Sequence, residues 1–275
     1  MIKTKILLEN YSVNTQCKPS HGFSILIEFN KKNILLDVGG DNNFPKNAVA
    51  MNVDLIDVDY LFLSHNHIDH TGGINKFLEL NKTASVHLLD NIDNKYYIKL
   101  FFLKIPIGLK LNKKYRERIT QLENDITLEN KIHFFRNITS DFRKPTFNNK
   151  LFKKEGNKTV RDTFEHEGIL VLEDGNELLI FNSCTHNGIL NVIETVKAKL
   201  PNKKIRCFVG GLHLFNPTTK KNESNEYLDY LLKELENIDF IVYTGHCTGK
   251  YALNYMKEKL GDKIQEINTG MELYI

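Results

Sequence analysis

The sequence predicts a layered fold of α/β (α+β) class, and three observations carry that reading. A unit recurs four times: a short apolar run of strand length, a loop bearing histidine, then helical spacing. Its loops hold His70, His186, His213 and His246. Two further apolar runs, over 169–172 and 178–181, flank Asp174-Gly175-Asn176, which is a strong hairpin signal. The chain has 275 residues, 41% of them hydrophobic, which suits one layered unit with a sizeable core. We therefore expect a single domain over 1–275.

The elements follow in order. ILLE, FSILIEF and NILLD near the start read as short strands separated by polar breaks. Tyr60-Leu61-Phe62-Leu63 suits a buried strand and ends in Ser64 and the cluster His65-Asn66-His67-Ile68-Asp69-His70. Thr71-Gly72-Gly73 turns the chain, and Ile74, Phe77 and Leu78 recur at helical spacing. A strand over 85–89 follows. Residues 91–160 pattern less clearly: helical patches over 94–103 and 112–123, then a polar, turn-like stretch over 139–158. We expect this segment to be an insertion or cap over the site. After the hairpin, Ile189, Val192, Ile193 and Val196 mark a helix. A strand over 205–209 ends in Gly210-Gly211-Leu212-His213-Leu214, and a helix covers 223–236. A strand over 240–243 ends in Thr244-Gly245-His246-Cys247-Thr248-Gly249. A helix over 250–259 and two short strands close the chain.

Composition excludes several functions. The 37 Lys/Arg against 34 Asp/Glu leave +3, too little to argue for nucleic acid. No apolar run approaches the roughly 18 residues of a membrane span. The start has no secretory pattern, and Cys17, Cys184, Cys207 and Cys247 show no CxxC spacing. We expect a reduced, cytoplasmic protein with a small anionic substrate; a homodimer is allowed for. Segment 91–160 holds 16 Lys/Arg against 7 Asp/Glu. That excess reads either as a solvated face or as a field that draws anions.

The cluster His65-x-His67-x-Asp69-His70 offers three imidazoles and a carboxylate from one loop. These are the ligands of hydrolytic zinc sites, and alternate residues can serve two neighbouring ions. Thr248 and Gly249 stand where a helix begins, a place suited to phosphate. His213 follows two glycines that permit close approach, so it reads as a substrate or phosphate contact or as a backbone cap. His21 and His166 are weaker candidates for substrate contact.

The six-residue cluster, set after an apolar strand and before Thr-Gly-Gly, resembles the metallo-β-lactamase superfamily. That resemblance implies an αββα sandwich with a metal site at one edge. Asp37, ending its strand before Val38-Gly39-Gly40, resembles the superfamily's first motif, an Asp that orients a ligand. His21-Gly22-Phe23-Ser24, Cys184-Thr185-His186-Asn187-Gly188, Gly210-Gly211-Leu212-His213-Leu214 and His246-Cys247-Thr248-Gly249 follow in order. Together they resemble the 7,8-dihydropterin-6-methyl-4-(β-D-ribofuranosyl)aminobenzene 5′-phosphate synthase-like subfamily.

The resemblance implies two divalent ions, zinc foremost, with iron or manganese as alternatives. His65, His67 and His186 would hold one; Asp69, His70 and His246 would hold the other. The Gly-Asp pair that many binuclear members carry at a strand end of the second half is not found there, and Ser183-Cys184-Thr185-His186 stands in its place, so that either the second ion is weakly held or Cys184 lies near it. The function expected is hydrolysis of a phosphoester or phosphodiester, with Asp69 accepting a proton and His213 meeting the substrate. Hydrolysis of a lactone or amide is the alternative, and a non-catalytic metal-binding scaffold or sensor is the reading from another class. Diiron redox chemistry is disfavoured, because His67 stands where those members carry Glu.

Overall fold

A computed structural model describes residues 1–100, 102–139 and 141–275. These residues divide into two compact units. One comprises Met1–Asn124, Lys150–His166 and Ile267–Ile275; the other comprises Asp125–Asn149 and Glu167–Glu266.

The first unit holds a mixed sheet of seven strands. In spatial order they are Glu272–Tyr274, Lys3–Leu8, Ser24–Phe29, Lys32–Leu36, Tyr60–Leu63, Ser85–Leu88 and Ile119–Gln121. Pairing is antiparallel as far as Lys32–Leu36 and parallel beyond it. The central strands are apolar on both faces, as strands covered by helices must be. Leu35, Leu61, Leu63 and Val86 pack with Phe44 and Ala48 of helix Asn43–Ala50 and with Ile74, Phe77 and Leu78 of helix Ile74–Leu80. The parallel register sets Leu36 opposite Phe62 and Leu63 opposite Leu88. The carboxyl ends of these strands therefore open at one edge, where sites collect on such sheets.

A second sheet of this unit is antiparallel, in the order Lys158–Arg161, Leu151–Glu155, Tyr96–Leu100, Leu103–Pro106. Here the sequence expectation is corrected. The patch over 94–103 is two strands, not a helix; its residue 101 lies outside the described residues. Tyr96, Ile98 and Leu100 alternate at the period of a strand, and aromatic and β-branched residues favour that state. The patch over 112–123 is a short 3-10 helix, Lys113–Arg118, running into the strand Ile119–Gln121. The turn-like stretch over 139–158, whose residue 140 is likewise outside the described residues, contains the strand Leu151–Glu155.

The second unit has its own seven-stranded sheet. In spatial order the strands are Ile264–Glu266, Ile241–Thr244, Lys204–Gly210, Glu177–Phe181, Ile169–Asp174, Ile132–Phe135 and Ile126–Leu128. The first four are parallel, and the rest pair antiparallel. The expected hairpin is present as Ile169–Asp174 and Glu177–Phe181. Helices Ile189–Lys199, Asn225–Leu235 and Lys250–Leu260 bury Val192, Val196, Leu228, Leu231 and Met256 with Phe208 and Val242 of the sheet. Ser224 caps the second of these helices, its hydroxyl accepting from the Tyr227 N–H. Phe181 lies opposite Val209 and Gly210 opposite Thr244, so the loops bearing His186, His213 and His246 leave one edge.

Gly73 joins two loops of the first unit. A Cβ there would fall 2.3 Å from the Val38 carbonyl and 2.4 Å from Phe44. Gly73→Ala is expected to cost about 1–3 kcal/mol, the range of overpacked core substitutions. A lowered urea midpoint checks this; an unchanged midpoint contradicts it.

Candidate metal centre

Asp37 is fully buried and follows the strand Lys32–Leu36 with φ +60. Its Oδ1 accepts from the Ser64 N–H at 2.7 Å; its Oδ2 accepts from the Ser64 hydroxyl at 2.7 Å and from His70 Nδ1 at 2.7 Å. Ser64 Oγ lies 2.9 Å from His65 Nδ1. Since that hydroxyl donates to Asp37, it accepts from the Nδ1–H of His65. Both imidazoles are thereby fixed as Nδ1–H, and Nε2 is the ligand atom each offers. The rings of His65 and His70 are 4.2 Å apart and those of His65 and His67 4.6 Å. Burial, then the neighbouring His70 and His67, hold the His65 pKa well below the usual histidine range. Burial works the same way on His70, but Asp69 and Asp37 outweigh it and raise that imidazole to about 10.

Glycines let the surrounding loops close in. A Cβ at Gly22 would lie 2.5 Å from the Asp69 carbonyl, one at Gly40 2.7 Å from the His21 carbonyl, and one at Gly72 2.3 Å from the Gly40 carbonyl. This accounts for the glycines beside His21, Asp37 and His70. Asp69 Oδ2 lies 3.5 Å from His70 Nε2 and 3.4 Å from Nε2 of the half-exposed His21.

The sequence reading missed Asp162. Its Oδ2 is 3.0 Å from His166 Nε2 and 3.9 Å from His67 Nε2, and ligand atoms of the three residues lie within 4.8 Å of one another. Burial would raise the Asp162 pKa, but His166 and His67 drive it far below the carboxylate range. His166, a weaker candidate for substrate contact, is buried. Its Nδ1 accepts from the Asn66 N–H at 3.1 Å and its Nε2 faces Asp162. Asn66 in turn donates to Asp90 at 2.6 Å, and Tyr96 OH reaches the same carboxylate at 2.9 Å. No spacing rule links Asp162 and Asp90 to the histidine loop, so only folding reveals them.

In the second unit, the carboxylate of Glu167 accepts from the N–H of His186 at 2.7 Å and of Asn187 at 2.9 Å. Asn148 clamps His186 from two sides, Nδ2 to its carbonyl at 2.7 Å and Oδ1 at 3.0 Å from Nδ1. That bond sets Nε2 as the ligand atom of His186. Glu167 and Asn148 were not foreseen either. The His186 and His213 rings are 4.1 Å apart, and His213 Nδ1 is 3.8 Å from Cys184 Sγ. Ligand atoms of Cys184, His213 and Cys247 gather within 4.8 Å. Thr185, His213 and His246 all have positive φ, near +57, +53 and +51. Non-glycine residues there are strained, and such strain collects at functional loops.

Thr248, the candidate phosphate contact, ends the short 3-10 segment His246–Thr248. Its buried hydroxyl accepts from the Leu212 N–H at 3.0 Å and bonds Thr244 Oγ1 at 2.6 Å, so it fastens the His213 loop. Gly249, at φ +74, precedes the helix Lys250–Leu260; a Cβ there would fall 2.5 Å from Phe215. Its glycine is thus explained by packing.

A family model described as the metallo-beta-lactamase superfamily matches residues 17–194. The chain belongs to that superfamily. Two curated proteins of Methanocaldococcus jannaschii are similar to this member over nearly their whole length. One is the 7,8-dihydropterin-6-methyl-4-(beta-D-ribofuranosyl)-aminobenzene-5'-phosphate synthase, 29% identical over 98% of this chain and 95% of its own. The other is an uncharacterized protein, 28% identical over 92% of this chain and 93% of its own. The subfamily resemblance expected from the motifs therefore holds. A crystal structure described as a metal-dependent hydrolase of the beta-lactamase superfamily aligns with TM-score 0.83 at 24% identity, covering 100% of this chain and 99% of that one. It shares the fold.

The donor set fits the divalent ion that this fold implies. Imidazole Nε2 atoms and a carboxylate are borderline-to-hard ligands suited to zinc, iron or manganese. Ring N–H groups held by Ser64 and Asp37 supply the outer hydrogen bonds such ligands use. Replacing His65 and His67 together by Ala is expected to abolish binding of one ion, read by metal analysis after reconstitution. Asp37→Asn puts an amide where Oδ2 accepts two bonds, so zinc affinity should fall about tenfold to a hundredfold in a competition titration. Unchanged affinity would show that Asp37 does not position the ligands.

Proposed function

We propose that the protein is a metal-dependent hydrolase acting on a phosphoester or phosphodiester of a small, ring-containing molecule. The observation that carries this reading is the buried Asp37–Ser64–His65–His70 network, which holds two imidazoles through Nδ1 and so leaves Nε2 of each as the atom for an ion. Under this reading the metal ligands are those the motif resemblance implies: His65, His67, Asp69 and His70 in the first unit, and His186 and His246 in the second. Such ions supply Lewis acidity and an activated water. The chain's own residues do the rest. Asp69, partly exposed and beside His21, is the carboxylate placed to take a proton from the nucleophile.

A cation and an imidazole beside the His186 loop support the phosphoester class. Lys144 Nζ donates to Asn187 Oδ1 at 2.7 Å, which sets a cation on the loop just after His186. His213, half-buried and opposite the His186 ring, faces the same loop. The archaeal relative is named for making a compound that carries a pterin and a 5'-phosphate. A phosphorylated ring system is accordingly the substrate class we assign, and the relative's being a synthase leaves the reaction on that class to the test below.

A hydrogen bond to a charged phosphate is worth about 1.5–3 kcal/mol. His213→Ala should therefore lower kcat/KM for a chromogenic phosphodiester about tenfold to a hundredfold. Metal content should stay at the parent's level, and a neutral lactone should be affected little. Equal losses on both substrates, or a parent that turns over only the lactone, would overturn the phosphoester assignment in favour of lactone or amide hydrolysis.

A further inference from the structure

Cys184 and Cys247 lie 63 residues apart in sequence, on the loops that follow the strands Glu177–Phe181 and Ile241–Thr244. Their sulfurs are 3.2 Å apart. All four cysteines of the chain are thiols. The pair is held by more than proximity. The Cys247 thiol donates to the Cys184 carbonyl at 3.5 Å and accepts from the His213 N–H at 3.3 Å. Gly211 leaves the room: a Cβ there would fall 2.5 Å from the Cys247 sulfur. The other two cysteines have no such arrangement. Cys207 sits inside a strand with its thiol pushed up to about 12 by burial, and Cys17 packs in the other unit's core.

We propose that Cys184 and Cys247 are a dithiol that closes reversibly to a disulfide and so controls the loops bearing His213 and His246. A disulfide bond measures about 2.05 Å, so closure needs the sulfurs to approach by only about 1 Å, within reach of side-chain rotation. The oxidant is a small-molecule disulfide. One thiol of the pair, as thiolate, attacks a sulfur of that reagent and expels one reagent thiolate, leaving a mixed disulfide on the protein. The second thiol then attacks the protein sulfur of that bond and expels the other half. The two cysteines lose two protons and two electrons; the reagent gains both as two thiols. Closure converts the acceptor of the His213 N–H from a thiol into a weaker disulfide sulfur and draws on the residue next to His246. The consequence for metal rests on the ligand assignment proposed above.

The test treats the protein as isolated with dithiodipyridine, quenches in acid, and reads intact mass and a non-reducing digest. The expected result is loss of two hydrogens, two reagent thiols released per chain, and peptides joined through Cys184 and Cys247. Dithiothreitol should reverse all three. Cys247→Ser should instead retain one reagent half on Cys184, because the resolving thiol is gone. An unchanged parent mass, reagent retained on the parent, or peptides joined through Cys17 or Cys207 would overturn the dithiol. A zinc titration of reduced and oxidised protein then reads control: oxidised protein should bind at least tenfold more weakly. A disulfide with unchanged zinc affinity would overturn the control. Reduced protein that binds no zinc would instead overturn the proposed ligand assignment, while the mass result stands by itself.

Discussion

The structure around the histidine loop depends on one buried carboxylate. A charge out of water is tolerated only when its lone pairs are met, and Asp37 meets them with a backbone N–H, a hydroxyl and an imidazole. Each of those partners has a second duty. Ser64 passes the constraint on to His65, and His70 is fixed directly. Parallel pairing of Lys32–Leu36 with Tyr60–Leu63 sets Leu36 opposite Phe62, which brings Asp37 to the end of that strand and within reach of Ser64. The sheet register and the orientation of two ligands are thus one requirement.

Close approach is the second constraint. Backbones that carry His21, Asp37 and Asp69 pass one another where no side chain fits, and Gly22, Gly40 and Gly72 are the residues that allow it. The other unit uses the same device. Gly210 and Gly211 let the His213 loop lie against the chain at Asn182 and Ser183, and Thr248 ties that loop down through Leu212. Positive φ at Asp37, Thr185, His213 and His246 is the conformational cost of these crossings.

Positioning groups outside the motifs complete the picture. Asp162 and His166 come from the end of the four-stranded sheet's last strand, and Asp162 faces both His166 and His67. Glu167, the next residue, begins a run of the second unit and accepts from two N–H groups of that unit's own His186 loop. A short run of chain therefore supplies carboxylates to two different histidine loops. The polar residues around 162–167 have a structural reason that their exposure-prone composition hides.

Sequence alone determined the apolar strand runs, the hairpin at 169–181, the helix at Ile189–Lys199 and the histidine loop at 65–70, because periodicity and local ligand spacing are short-range signals. It also made the family legible, since the motifs that carry the resemblance are contiguous. It misjudged 94–103, where alternating Tyr96, Ile98 and Leu100 form a strand whose partners lie at Leu151–Glu155 and Leu103–Pro106. It did not foresee that His166 bonds Asp162 and Asn66, or that Thr248 bonds Leu212 and Thr244. It gave no hint of Asp162, Asn148 or the Cys184–Cys247 contact. Those depend on which residues distant in sequence meet at a strand end, and that is decided by strand order and register, which only the tertiary fold sets.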